Sequence, residues 1–332
     1  MTMRKLYFLV PGLGNQFACG GLWAELKTLK LAQQVCTAEV VTYKQRHPDT
    51  LFLADLPGQP HLDQVIFVIS WGFDVGKLAQ QLRSYHVVYH AHSAGYRFKL
   101  SAQVPIITVS RNTLGYWGQR SPHSLLYYLP NQISDDFCNL KLERDIDVLV
   151  QARKSSTYLM QDLVPALQTV CKVKVVDSYV ENLSQLFNRT KVYLYDSAEY
   201  WAQQGVSEGF GLQPMEAMAC GCQVFSSLNG GLSDYLDPGF NCYKIAGYSQ
   251  SFDVQRICKM MQSGQTEGLS EQVLAEYRAD NIRRRLQVIL TEINDFFDSQ
   301  PHQQRAIVPL TKMRITQLRL QTLWRKLQRK VS

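Results

Sequence analysis

Two carboxylates with seven residues between them, Glu208 and Glu216, stand in the run Glu208-Gly209-Phe210-Gly211-Leu212-Gln213-Pro214-Met215-Glu216-Ala217-Met218-Ala219-Cys220-Gly221. An ionised carboxylate accepts on both oxygens, so one acid can hold two neighbouring hydroxyls of a ribose or hexose. Between the two acids, Gly209 and Gly211 allow a tight loop with exposed backbone N–H groups. Pro214 suits the first turn of a helix and Gly221 its left-handed stop, while Ala217 and Ala219 permit close packing on a sheet. The run therefore predicts Glu208 in a loop and Glu216 in the first turn of the following helix, both facing a cleft. Taken alone, the acids also fit a plainer arrangement, with Glu216 complementing the positive helix start and Glu208 solvated in the loop.

The elements that must position this run alternate between strand and helix. Leu6–Val10, Ala38–Tyr43, Val65–Ile69, His86–Tyr89 and Pro105–Val109 read as strands, with a helix over Leu22–Gln34. After Ser134-Asp135-Asp136 the pattern restarts. Strands are expected at Asp147–Val150, Val173–Val176, Lys191–Tyr195 and Gln223–Phe225, and helices at Tyr158–Val170, Val180–Phe187 and Gln213–Cys220. Such alternation means parallel sheets with right-handed crossovers, and the restart means two of them. The expected domains are 1–140, 141–285 and a helical extension, 286–332. Two tandem sheets leave a cleft where strand ends and helix starts favour an anion.

Several short patterns fail on their context. Gly12-Leu13-Gly14 lacks the third glycine of a dinucleotide fingerprint, because Phe17 stands there. Gly205-Val206-Ser207-Glu208-Gly209 has the spacing of a hydrolase nucleophile elbow, but no strand runs into it, and the one later histidine, His302, lies in a polar stretch. Asp145-Ile146-Asp147 precedes an apolar strand instead of following one, so its acids read as strand-entry charges. The eight cysteines are spread without a zinc pattern and read as small buried side chains.

The string EGFGLxPxEAMACG, followed by Val224 and Asn229-Gly230-Gly231-Leu232, resembles the retaining glycosyltransferases of family 4, which have the GT-B fold. The resemblance is specific over residues 191–246. Elsewhere it is carried by Gly20-Gly21 opening the first long helix, by Thr108-Val109-Ser110-Arg111 and by Leu129–Ile133. It implies that Glu216 binds the ribose of a nucleotide-sugar donor and Glu208 a donor sugar hydroxyl. The N–H groups of Phe210, Gly211 and Leu212 would hold sugar and diphosphate, and Arg153 would neutralise the leaving group, helped by the Gly20-Gly21 loop. The family needs no metal and no cofactor beyond its donor. Its diphosphate lysine usually follows the arginine by five or six residues; Tyr158 and Leu159 occupy that spacing, which leaves Lys154 as the substitute. Of the two candidates for its N-terminal histidine, His90 and His92, His92 is preferred. A chain of the same fold without turnover, serving as a nucleotide-sugar-binding or scaffold subunit, is the alternative.

Hydrophobic residues make up 45% and charged residues 19% of the 332, which excludes a disordered or fibrous chain. The net charge of +7 resides in residues 311–332, which hold seven cations and no acid, so residues 1–310 balance 28 basic against 28 acidic groups. A general nucleic-acid surface on the globular part is thereby excluded. In the tail, Leu320, the pair Leu323-Trp324, Leu327 and Val331 recur at steps of three or four residues. This fits a surface helix on anionic lipid, or a terminal helix packed on the N-terminal domain with a solvated basic face. Dispersed cysteines and the lack of an export signal lead to the expectation of a cytoplasmic protein, with peripheral contact at the inner face of the membrane left open. The acceptor, whether sugar, lipid or polysaccharide precursor, has no motif.

Overall fold

The computed structural model describes residues 3–245, 249–263, 269–299 and 310–331. Ala246, His302 and Ser332 lie outside them, as do the side chains of Lys326, Leu327, Arg329, Lys330 and Val331. Residues up to Thr291 form one compact unit and those from Glu292 another.

Seven parallel strands make the first sheet: β1 (Lys5–Val10), β2 (Ala38–Thr42), β3 (Leu51–Phe52), β4 (Val65–Ile69), β5 (His86–Ala91), β6 (Ile106–Thr108) and β7 (Leu126–Tyr128), in the order β3-β2-β1-β4-β5-β6-β7. The apolar run Val65-Ile66-Phe67-Val68-Ile69 pairs with both β1 and β5 and is buried throughout, as a strand covered on both faces must be. Crossovers carry α1 (Gly20–Ala32), α2 (Val75–Gln81) and α3 (Arg111–Arg120). Ser110 starts α3 with a capping box shared with Thr113.

The second sheet holds β8 (Ile146–Gln151), β9 (Val173–Val176), β10 (Thr190–Tyr195), β11 (Gln223–Ser226) and β12 (Tyr243–Lys244), ordered β12-β11-β10-β8-β9. Its helices are α4 (Val164–Gln168), α5 (Leu183–Asn188), α6 (Ala198–Gln204) and α7 (Leu212–Ala219). The helix expected over Tyr158–Val170 is present; its first part is π-helical, Leu159–Leu163, and runs directly into α4. Then come α8 (Gln250–Ser263), α9 (Glu271–Leu274), α10 (Ala279–Ser299) and α11 (Lys312–Val331).

Both strand orders reverse direction once, between β1 and β4 and between β8 and β10. Open parallel sheets bind ligands beyond the carboxyl ends of strands at such reversals. The segment Ser93–Gly95 after β5 meets Gly205–Gly209 of the second lobe. There Ser207 N–H donates to the Ala94 carbonyl at 2.9 Å, and Ala94 N–H donates to Ser207 Oγ at 3.2 Å. A third link joins the Arg111 N–H to Asp234 Oδ2 at 2.6 Å. Ser207, in the elbow-like pentapeptide, thus joins the lobes; α6, a helix and not a strand, leads into it.

Candidate active site

The loop after β8 reads Ala152-Arg153-Lys154-Ser155-Ser156 and is fastened to the loop after β10. Ser156 donates its hydroxyl to Asp196 Oδ2 at 2.6 Å and its N–H to the Asp196 carbonyl at 2.9 Å. Between these fixed points Lys154 adopts φ +70°, a left-handed conformation uncommon for a lysine. Its ammonium lies 4.4 Å from the centroid of the Trp201 ring on α6. Arg153 is exposed, and its guanidinium has no ion pair among the described residues. The two positions at the spacing of the family's usual lysine are committed elsewhere: Tyr158 donates to Asp253 on α8 at 2.8 Å, and Leu159 is fully buried.

Trp201 joins Lys154 to the first of the two acids. Its indole N–H donates to Glu208 Oε2 at 2.6 Å, and the same oxygen accepts from the Tyr195 hydroxyl at 2.5 Å and the Ser197 hydroxyl at 3.3 Å. Glu208 is buried, so the plainer reading of a solvated loop acid does not hold. Three donors on one oxygen fix the carboxylate and leave Oε1 without a protein partner among the described residues. Burial and then the Glu208 charge push the Tyr195 phenol well above its ordinary pKa, which keeps it a donor.

The glycines of the loop have separate reasons. A Cβ on Gly209 would stand 1.6 Å from the His92 carbonyl oxygen, so the first-lobe backbone comes this close only to a glycine. Gly211 has φ +79° and caps α7 in the left-handed conformation. The Phe210 side chain is an anchor, buried against Tyr235 and Tyr277 with ring centroids 5.4 and 5.7 Å away. The N–H groups of Phe210, Gly211 and Leu212 meet no acceptor among the described residues, so they remain open to an anion at the start of α7.

Glu216 is the fifth residue of α7, because the helix begins at Leu212 and has no acid in its first turn. The helix starts one residue earlier than expected, which moves Glu216 from the end of the first turn to the start of the second, and a carboxylate there is too far along to serve the helix start. The residue is buried. Burial pushes its carboxyl up to about 7, against a smaller opposing effect of the Lys27 ammonium on α1. No side-chain hydrogen bond restrains it among the described residues.

In the first lobe, Gly20 and Gly21 begin α1, and a Cβ on Gly20 would meet nothing within 4 Å. Space, not packing, lies beside that turn. Glu25, one turn further, is buried and uses a single oxygen for two imidazoles: His90 Nδ1 at 2.6 Å and His92 Nε2 at 2.7 Å. Burial alone would raise the Glu25 carboxyl, but the His90 charge and both hydrogen bonds overcome it and hold it at about 2. His92 is lowered, by burial and then by His90. His90 side chain exposure is 2% and that of His92 14%, so His92 is the one nearer to solvent. One ligand atom from each of Glu25, His90 and His92 lies within 4.8 Å of the others, a spacing that could also hold a metal ion.

Sequence reading passed over Glu25, Tyr195, Ser197 and Trp201. The signals were present: His90-Ala91-His92 puts two imidazoles on one face of a strand end, and an aromatic pair, Tyr200-Trp201, stands seven residues before Glu208. The acids of Asp145-Ile146-Asp147 lie at the amino end of β8. Asp145 is bridged by Arg189 at 2.5 Å and Asp147 by Lys191 at 2.7 Å, so both are strand-entry charges. All eight cysteines are free.

Two open parallel sheets in tandem with these strand orders, joined through Ser207 and Asp234, have the GT-B fold. Residues 154–272 match the sequence model of glycosyl transferases group 1, a segment that includes Lys154, Glu208 and Glu216. Among solved structures, the chain is similar to sucrose-phosphate synthase from Thermosynechococcus elongatus, with TM-score 0.65 and 14% identity over 88% of this chain and 99% of that one. It is also similar to the pneumococcal O-GlcNAc transferase GtfA in complex with UDP and GlcNAc, with TM-score 0.66 and 11% identity over 88% and 99%. A third, Anabaena HepE in complex with UDP and glucose, has TM-score 0.60 and 16% identity over 87% and 99%. No curated protein sequence matches. Among the described residues no helix is long and apolar enough to cross a membrane.

Proposed function

We propose that this chain is a retaining, hexosyl-type glycosyltransferase of family 4 that moves a sugar from a nucleoside-diphosphate donor to an acceptor. The acceptor is a sugar, lipid or polysaccharide-precursor molecule, met in the cytoplasm or at the inner face of the membrane. The second lobe holds the donor and the first lobe the acceptor. One observation carries the reading: a buried carboxylate, Glu208, is fixed on one oxygen and open on the other, and one glycine later come three backbone N–H groups without acceptors among the described residues.

In this reading Glu208 Oε1 accepts from a donor sugar hydroxyl, and Glu216 accepts from the ribose. Departure of the sugar develops negative charge on the diphosphate and positive charge at the anomeric carbon. The N–H groups of Phe210, Gly211 and Leu212 meet the first charge, together with Arg153, Lys154 and the Gly20-Gly21 turn. His92 serves the sugar from the opposite lobe. No metal cofactor is assigned to the diphosphate. Because two similar structures hold UDP with a hexose or GlcNAc, UDP-glucose and UDP-GlcNAc are the first donors to try.

The test is release of nucleoside diphosphate from UDP-, GDP- and ADP-sugars, with the anomeric configuration of the product read by NMR. Turnover that survives dialysis against EDTA and retains configuration supports the proposal. No release from any donor would leave the fold without this function.

A further inference from the structure

We propose that α11 (Lys312–Val331) is an interfacial helix that lies in the plane of an anionic lipid bilayer. Successive helical residues step by about 100° around the axis. On that wheel Met313, Leu320, Leu323 and Trp324 fall within an arc of about 100°. The positions of Leu327 and Val331 continue the same stripe. Lys312, Arg314, Arg319 and Arg325 fall on the opposite half, joined by the positions of Lys326, Arg329 and Lys330. Ile315 and Leu318 interrupt that half only in the first turns. Leu320, Leu323 and Trp324 are each more than half exposed, with Trp324 at 68%.

This segregation says what covers the stripe. A helix packed on protein needs an apolar face, but it does not need seven cations without one acid on the other side. An anionic leaflet needs both: lipid headgroups draw the cations, and the indole and leucines enter the boundary between headgroups and acyl chains. The 20-residue length gives about 30 Å of helix parallel to the surface. Its mixed faces exclude a spanning orientation, since charges at mid-bilayer are costly. The inference does not depend on the transfer chemistry, because a chain without turnover would still bind vesicles.

The experiment uses the full chain with vesicles of phosphatidylcholine containing about one-third phosphatidylglycerol, and with phosphatidylcholine alone. Co-sedimentation is expected with the first and not the second, and deletion of residues 311–332 should abolish it. The pair Arg319→Gln and Arg325→Gln should weaken partitioning about 30-fold, at about 1 kcal/mol per cation. The fluorescence difference between the full chain and Trp324→Phe should shift to the blue on binding. Equal binding to neutral vesicles, or undiminished binding by the deleted chain, would overturn the proposal. So would a tail that drives self-association in solution while the vesicles remain unbound.

Discussion

Trp201 provides the sharpest handle on the site, because one side chain serves Lys154 on its face and Glu208 at its edge. In Trp201→Phe a ring remains beneath the ammonium, but the N–H at 2.6 Å from Glu208 Oε2 is gone. Of the three donors, the Tyr195 hydroxyl at 2.5 Å and the Trp201 N–H are short and the Ser197 hydroxyl at 3.3 Å is weak. The carboxylate therefore loses one of its two strong restraints. A hydrogen bond to a charged group contributes about 1.5–3 kcal/mol. If that energy holds Oε1 in place for the sugar, its loss lowers kcat/KM for the donor by about tenfold to hundredfold. The assay is nucleoside diphosphate release across donor concentrations, run as a double-mutant cycle with Glu208→Gln. Because the indole acts through Glu208, Trp201→Phe should cost far less in the Glu208→Gln background. A folded single variant within twofold of the parent, or an equal loss in both backgrounds, would refute the reasoning.

Arg153→Ala should lower turnover by about 10²–10³, as removal of one preorganised donor does, with no change in melting temperature because the side chain is exposed and has no ion pair among the described residues; a normal rate would remove it from the site. Glu216→Gln should stabilise the free protein at pH 8. The folded-state pKa is raised to about 7 from 4.5, so the folded chain binds the extra proton between those values, and stability falls as pH rises through that window. The difference is about 3 kcal/mol above pH 7 and vanishes below 4.5, which denaturant titrations at both ends would check. The same variant should weaken nucleotide binding; unchanged affinity would count against the ribose contact. Gly209→Ala places a methyl against the His92 carbonyl, so the lobes should part, and small-angle scattering should report a larger radius of gyration with turnover lost; an unchanged radius would mean the contact yields locally.

The central strands were legible because a parallel strand buried on both faces is a continuous apolar run, as in Val65–Ile69. The short edge strands Leu51–Phe52 and Tyr243–Lys244 were not, since two residues carry no periodicity. Helix α6 was hidden by its aromatic and glutamine composition, and it brings Trp201 to Glu208. Glycine and proline punctuation located the α7 loop well. It could not fix the helix start, because Gly211 acts as a left-handed cap and moves Glu216 into the second turn. Partnerships over long sequence separations stayed out of reach. Glu25 meets His90 and His92 only because α1 and β5 share a sheet end, and no local pattern encodes that.

The most direct test is a crystal structure with the nucleoside diphosphate that binds most tightly among UDP, GDP and ADP. Ribose hydroxyls are expected on the Glu216 carboxylate, and diphosphate oxygens on the N–H groups of Phe210 to Leu212 within reach of Arg153 and Lys154. A nucleotide bound away from α7, or none bound at all, would contradict this.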